Sequence, residues 1–485
     1  MFKSLIFGLA TLLIGSQVSA QQHKYQVKID RLAQLAYVDA SIELEGNTLT
    51  LFNTNPMPNF PNGQADFLRN IQVFDKTGRT LKLEDKGEGE YQLEGNQTIR
   101  LKYEVKLDHD KLNWPAGNEE VLYHTSEGLM LSGYTLFLVP GEKMSGQTLV
   151  EFELPADWKS HAALKPLSTQ NQFIAKSRRE LVNNAYFFGT AKSSAIQAGG
   201  LDIEIVLGAR YYKQKHVIEG LLLQQLKSYF DMFGSKPQAD RYLIIINQGD
   251  SGDGGAFSGS FSQLLRGDAE VRTRAIWGRV IAHELLHFWN GLSLIPKSDQ
   301  EEWFKEGVTD YLTIKSMAKN GLLHRPSVIQ WLENLSRGQL VARRVQNVKG
   351  SVQEAAQNKH QNWLLVYGGG SIAGLAMDVE LRKRSGNRFG LEDLMKEMYH
   401  DLAVSQKPYT LDDIINAANK MTSTDFSEVL KKLVQSSEMV ELAPIFDSIG
   451  LQLEQYLLLE HNLINKGHPS REEQERFKKM FGMKL

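Results

Sequence analysis

His283, Glu284 and His287 stand together in the run Ile281-Ala-His-Glu-Leu-Leu-His-Phe-Trp-Asn290, within a segment, Val271–Asn290, whose pattern predicts a helix. An α-helix turns once every ~3.6 residues, so side chains at i and i+4 lie one above the other. His283 and His287 can therefore aim both imidazoles at one point, as a metal ion requires. Glu284 is rotated by about 100° from His283, within reach of a metal-held water without being a ligand. This is the His-Glu-x-x-His pattern of zinc hydrolases, with the glutamate as general base.

Such a site needs a third ligand, and eighteen residues separate His287 from Glu306 in Glu302-Trp-Phe-Lys-Glu-Gly-Val-Thr-Asp310-Tyr-Leu. The segment reads as the start of a second helix, Glu301–Asn320, acidic in its first turn as the helix dipole favours. Two histidines and one glutamate, with a fourth position left to water, form a catalytic zinc arrangement, whereas structural sites fill all four positions. One Zn2+ per chain is the expected cofactor. Asp310, four residues past Glu306, shares its helical face and is placed to accept the free ring N–H of a ligand histidine.

The elements that must hold these residues are legible in outline. Met1–Ala20 sets Lys3 ahead of an apolar run from Leu5 to Ile14 and closes on Val18-Ser-Ala20, the pattern of a secretory signal peptide. The protein is therefore expected to be exported, periplasmic or secreted. No later stretch has eighteen uninterrupted apolar residues, so no stable membrane span is expected. The 485 residues include no cysteine, which excludes disulfides, a thiol nucleophile and thiolate zinc ligands. A net charge of −2 with both signs interspersed argues against nucleic acid or a membrane surface as partner.

From 21 to 207 short alternating runs such as Thr98-Ile-Arg-Leu-Lys-Tyr-Glu-Val and Leu201-Asp-Ile-Glu-Ile-Val-Leu predict antiparallel strands in a β-rich, sandwich-like domain. Its histidines, His109, His124 and His161, read as surface or core residues. A catalytic region spans 208–322: a helix, the buried strand Arg241-Tyr-Leu-Ile-Ile-Ile-Asn247, a glycine-rich loop from Gln248, and the two helices above. That loop lacks the spacing of a nucleotide-binding motif. The pattern is then helical through an all-α domain, 323–455, and a charged helical tail, 456–485. Its helices are expected at Pro326–Arg337, Trp363–Ser385, Leu391–Ala403, Thr410–Met421 and Phe426–Ser437. The fold class is α+β.

The words His283-Glu-Leu-Leu-His-Phe-Trp-Asn290 and Trp303-Phe-Lys-Glu-Gly-Val-Thr-Asp-Tyr311 resemble the glycyl aminopeptidase family of zinc peptidases, relatives of aminopeptidase N and thermolysin. In that family the first motif runs on into a Trp-Asn pair, here Trp289-Asn290. The third ligand lies in Trp-x-x-Glu-Gly-x-Thr-x-Tyr, matched by Trp303, Glu306, Gly307, Thr309 and Tyr311. Tyr367-Gly-Gly-Gly resembles the family's Tyr-x-x-Gly segment at the head of a long helix. The likeness is good over 210–435. It implies a thermolysin-like catalytic domain acting on a peptide or protein substrate. Tyr367, neutral at pH 7 and able to donate, becomes the candidate donor to the oxyanion of a tetrahedral intermediate.

Two departures accompany the resemblance. The family usually carries Gly-Gly-Leu-Glu-His in a substrate-binding strand, where this chain has Gly254-Gly255-Ala256-Phe257-Ser258. The backbone edge there could still pair with an extended peptide. The glutamate that grips a substrate's terminal ammonium in related aminopeptidases is missing, with Asp250 and Asp253 as the only nearby substitutes. The family often ends in a PDZ domain, and the short stretch after Leu451 predicts none. Three functions stay open: an aminopeptidase-like zinc peptidase, an endo- or oligopeptidase without amine recognition, and a non-catalytic zinc-binding interaction protein.

Overall fold

The computed structural model describes residues 21–95, 97–141, 143–250, 252, 254–457 and 460–485. The signal segment, Met1–Ala20, and Asp253 lie outside the described residues. The first strand, Gln21–Asp30, pairs antiparallel with Leu35–Leu44 and parallel with Gln147–Glu153, Val27 standing opposite Val38 and Phe152. These strands belong to a seven-stranded sheet with Leu68–Asp75 at one edge and Lys165–Pro166 at the other. Alternate residues of Leu35–Leu44 are buried, as period-two patterning on a half-solvated sheet requires. Tyr25, Val38, Ile42 and Leu101 meet side chains from two four-stranded sheets to form the sandwich core.

One of those four-stranded sheets is buried on both faces. In the strand Ala185–Gly189, Tyr186 and Phe188 point into the sandwich core, while Ala185 and Phe187 point away from it. Phe187, Tyr123 and Met130 pack against Val206, Leu243 and Ile245 of a five-stranded catalytic sheet. That sheet runs Lys192–Ala198, Leu201–Leu207, Arg241–Gln248, Ser260–Leu265, with Gly254–Phe257 at its edge. Tyr242, Ile244 and Ile246 face the helices on its other side. Burial on both faces explains the unbroken apolar run at 242–246. It also moves a boundary: Lys192–Ala198 and Leu201–Leu207, expected in the N-terminal domain, are strands of the catalytic sheet.

The helices also differ from expectation in instructive places. The one carrying His283 runs Arg274–His287 and ends three residues before Asn290. The expected helix at Glu301–Asn320 is broken into a short turn at Asp299–Glu301, a wide π-turn at Trp303–Gly307 and a helix at Val308–Lys319. Helices follow at Arg325–Leu340, Trp363–Arg384, Leu391–Met398, Leu411–Thr422 and Ser427–Val434. They share one continuous core with the catalytic sheet, so 322 marks no break in packing. Trp363–Arg384 has the length and apolar composition to cross a membrane, but it is mostly buried inside the protein.

The C-terminal region is not all helical. Leu451–Leu457 and Glu460–Asn465 form an antiparallel hairpin. The Leu, Gln and Glu that favour helix there are overridden by tertiary packing that buries Leu451 and Leu463. Only Arg471–Phe481 of the expected tail is helix, and it buries Phe477, Met480 and Phe481 rather than lying free.

One close crossing sets the position of the site. The π-turn lies directly on the glycine-rich start of Trp363–Arg384. A Cβ on Gly370 would sit 2.3 Å from the Trp303 carbonyl oxygen, and one on Gly307 2.5 Å from the Gly370 Cα. No side chain fits between the two backbones. Gly370→Ala should therefore destabilise the fold by ~1–3 kcal/mol through overpacking and lower metal retention, because the displaced turn carries Glu306. Urea unfolding and metal content measured on one preparation check this; an unmoved midpoint contradicts the crossing.

Candidate active site

The helix Arg274–His287 presents His283, Glu284 and His287 on its buried face. The π-turn Trp303–Gly307 turns Glu306 toward them. Nε2 of His283 and Nε2 of His287 are 3.0 Å apart. Oε2 of Glu306 lies 3.5 Å from the first and 3.2 Å from the second. A tetrahedral zinc with ligand bonds of about 2.0–2.1 Å has edges of about 3.3 Å, so this triangle has the size such an ion needs. Among the described residues it is the one group of three His, Asp or Glu side chains able to hold a metal. The other histidines have different partners. His124 pairs with Asp110 at 2.9 Å and His161 with Glu204 at 2.7 Å, while His109 stacks on Phe67.

The outer ring nitrogens are fixed. Nδ1 of His283 is 3.0 Å from Oδ1 of Asp310, and Nδ1 of His287 is 3.0 Å from the Asn290 carbonyl oxygen. Both acceptors require Nδ1–H, which leaves the Nε2 lone pairs free for a metal. Asp310 is itself held by Arg279 at 2.7 Å, and Arg279 stacks over Trp331 at 4.4 Å. Asn290 does more than end the helix. Its side-chain amide donates to the Phe304 carbonyl and to Thr309 Oγ1, each at 3.0 Å, tying the histidine helix to the Glu306 turn. Trp289 anchors the same corner against Tyr229, Phe230 and Phe233. The Trp-Asn pair met in the sequence only as a likeness thus has a mechanical reason.

Glu284 stands beside the edge strand, where a Cβ on Gly254 would lie 3.2 Å from its Cγ. Of the four expected substrate-binding residues, Gly254, Gly255, Ala256 and Phe257 do form the edge strand. The Phe257 side chain, however, is buried between the two domains, so only its backbone can serve a peptide. Tyr367 lies in the first turns of Trp363–Arg384, its ring 6.1 Å from that of His283. Burial, then the fields of Glu306 and Glu284, push its phenol well above its ordinary range, which keeps it protonated and a donor.

Gly254, His283, Glu284 and Tyr367 face a cleft of about 950 Å³ whose walls also include Glu120, Lys359 and Trp363. Another concavity, about 780 Å³, lies on the polar face of the N-terminal sheet around Lys28, Tyr37 and Glu153, away from this chemistry. Glu120 escapes sequence reasoning. It sits in a short turn, Asn118–Glu120, of the N-terminal domain, with no motif around it. A Cβ on Gly255 would lie 2.2 Å from Glu120 Cγ, so the glycine makes room for this carboxylate against the edge strand. Burial raises its pKa to about 8, Lys359 opposing and Glu284 adding to the rise. Asp250 is exposed on the loop, where its carbonyl accepts from Arg266 at 2.7 Å.

Burial opposes a charge on His283, but Asp310 above all, then Glu306 and Glu284, outweigh it and hold the pKa up to about 10. A metal takes neutral imidazole, so uptake at neutral pH must displace this proton. Zinc affinity should therefore climb with pH, about tenfold per unit for the one proton until pH nears that value. Calorimetry in buffers of differing ionisation heat should find about one proton released at pH 7. Asp310→Asn should shrink that release and weaken zinc binding about 10–100-fold.

Comparison with known proteins agrees with this architecture. Residues 20–189 match the peptidase M61 N-terminal domain. No curated protein matches in sequence. A crystal structure of an aminopeptidase N family protein from Idiomarina loihiensis superposes with a TM-score of 0.77 at 19% identity, over 89% of this chain and 79% of that one. At that identity the likeness is one of fold. The family match over the β-rich domain and the shared α+β fold together support a peptidase.

Proposed function

We propose that the chain is an exported zinc-dependent aminopeptidase. The observation that carries the reading is the juxtaposition of three donor atoms at metal-binding spacing, a glutamate beside them and an edge strand with a second carboxylate packed on Gly255. His283, His287 and Glu306 would hold one zinc ion, which supplies Lewis-acid polarisation of a carbonyl and an acidified water. An extended peptide would pair along the edge strand Gly254–Phe257. Glu284 takes the proton of the attacking water and passes it to the leaving amine. The hydroxyl of Tyr367 donates to the oxygen on which charge develops.

Glu120 decides which end of a peptide is used. The missing strand glutamate left recognition of a terminal ammonium open, and Glu120, supplied by another domain, stands against Gly255 of that strand. A substrate ammonium seated there would return the carboxyl to its ionised form, releasing a proton near neutral pH. Export rests on Met1–Ala20, directly followed by the first strand at Gln21.

Two variants test the reading. Glu284→Gln should keep its zinc and lose about 10²–10⁴-fold in turnover; unchanged turnover removes the hydrolytic role. Glu120→Gln should raise KM about tenfold or more for peptides with a free N-terminus and leave N-acetylated peptides as poor as before. Equal cleavage of free and acetylated peptides by the wild type would instead support the endopeptidase.

A further inference from the structure

Glu306 has two carboxylate oxygens, and they face different company. Oε2 points at the two histidines. Oε1 receives two ammonium groups, Lys359 Nζ at 2.9 Å and Lys305 Nζ at 3.2 Å. Both lysines are also held by Glu302, at 3.0 Å for Lys359 and 3.1 Å for Lys305. The four side chains form a neutral quartet. Its members come from separate places: the π-turn and the residue before it supply Glu306, Lys305 and Glu302, and the turn after the helix Val352–Ala356 supplies Lys359.

This arrangement is built rather than incidental. The Lys305 stem runs across Gly291, whose added Cβ would come within 3.1–3.3 Å of its Cγ, Cδ and Cε. Gly291 has a φ of +123°, a backbone that L side chains rarely adopt, so glycine there suits both the turn and the passing lysine. Lys359 also lines the catalytic cleft. Neither lysine is needed to balance a metal. Each adds positive charge beside a site meant for a dication, which by itself weakens loading.

The charge cost has a return in geometry. A lone carboxylate beside zinc can bind through both oxygens and fill the position that a catalytic site must leave open. We propose that Lys305 and Lys359, steadied by Glu302, are positioning residues that reserve Oε1 of Glu306 and hold it to one-oxygen ligation. A metal held there would keep an open position and be bound less tightly than through both oxygens. This inference rests on the reading of His283, His287 and Glu306 as a metal site, and it concerns coordination number rather than the reaction.

Cobalt substitution reads that number directly, since low-coordinate Co2+ absorbs visible light far more strongly than higher-coordinate Co2+. The wild type should show the intense spectrum. Lys359→Met should lose most of that intensity while binding zinc on the order of tenfold tighter in chelator competition. Lys359→Arg should restore the wild-type spectrum. Should the single variant fold poorly, Lys359→Met with Glu302→Gln keeps the remaining cluster neutral and should behave the same way. An unaltered spectrum in folded variants, or weaker zinc binding, overturns the proposal while leaving the metal reading intact. A wild type that binds neither zinc nor cobalt removes both.

Discussion

Three electron-rich atoms do not gather within 3.5 Å of one another unless something holds them there. In this protein the holding is done by hydrogen bonds from outside the triangle. Asp310 turns His283, the Asn290 carbonyl turns His287, and the Asn290 amide ties the histidine helix to the turn that carries Glu306. The glycine crossing at Gly307 and Gly370 then presses that turn against the helix bearing Tyr367. These supports come from several elements, so the site exists only when the whole catalytic core is packed. Preorganisation of this kind is where an enzyme's electrostatic advantage resides.

What could be read beforehand divides along the range of the forces involved. His283 and His287 sit at a spacing that helix geometry alone brings to one face, so the residue pattern sufficed to pair them. Asp310 was legible for a similar reason: its place on the face of Glu306 set it within reach of a ligand histidine, and in the structure it meets His283. The β-sandwich followed from alternation, which is likewise local. The pairing of Leu451–Leu457 with Glu460–Asn465 was hidden because these residues favour helix in isolation and turn to strand where they pack with Phe446, Ile449 and their neighbours. The π-turn was hidden because its cause is a backbone-to-backbone contact with a segment far along the chain.

Glu120 and Lys359 mark the other limit. Neither lies in a motif, and an acidic turn or a lysine between helices is ordinary surface by default. Their significance comes from where tertiary structure delivers them: one against Gly255, the other against Glu306. A signal did exist in the glycines. Gly255 and Gly291 stand where a side chain would strike Glu120 or Lys305, so an unexplained glycine beside a site marks something that needs the space.

The β-rich domain therefore has more to do than accompany the catalytic one. Tyr123 donates or accepts with Ser262 at 3.0 Å and receives the Asn247 amide at 3.1 Å, in the middle of an apolar interface built by Met130, Phe187, Leu243 and Ile245. These contacts begin three residues after Glu120, so they tie the turn that carries the carboxylate to the catalytic sheet. A packed interface deforms little. If Glu120 selects the peptide's free end, selectivity is a property of the joint between two domains, whereas hydrolysis belongs to the catalytic domain alone. The two could then change separately: loosening the joint at Tyr123 would blur the choice of peptide end before it slowed the chemistry at His283.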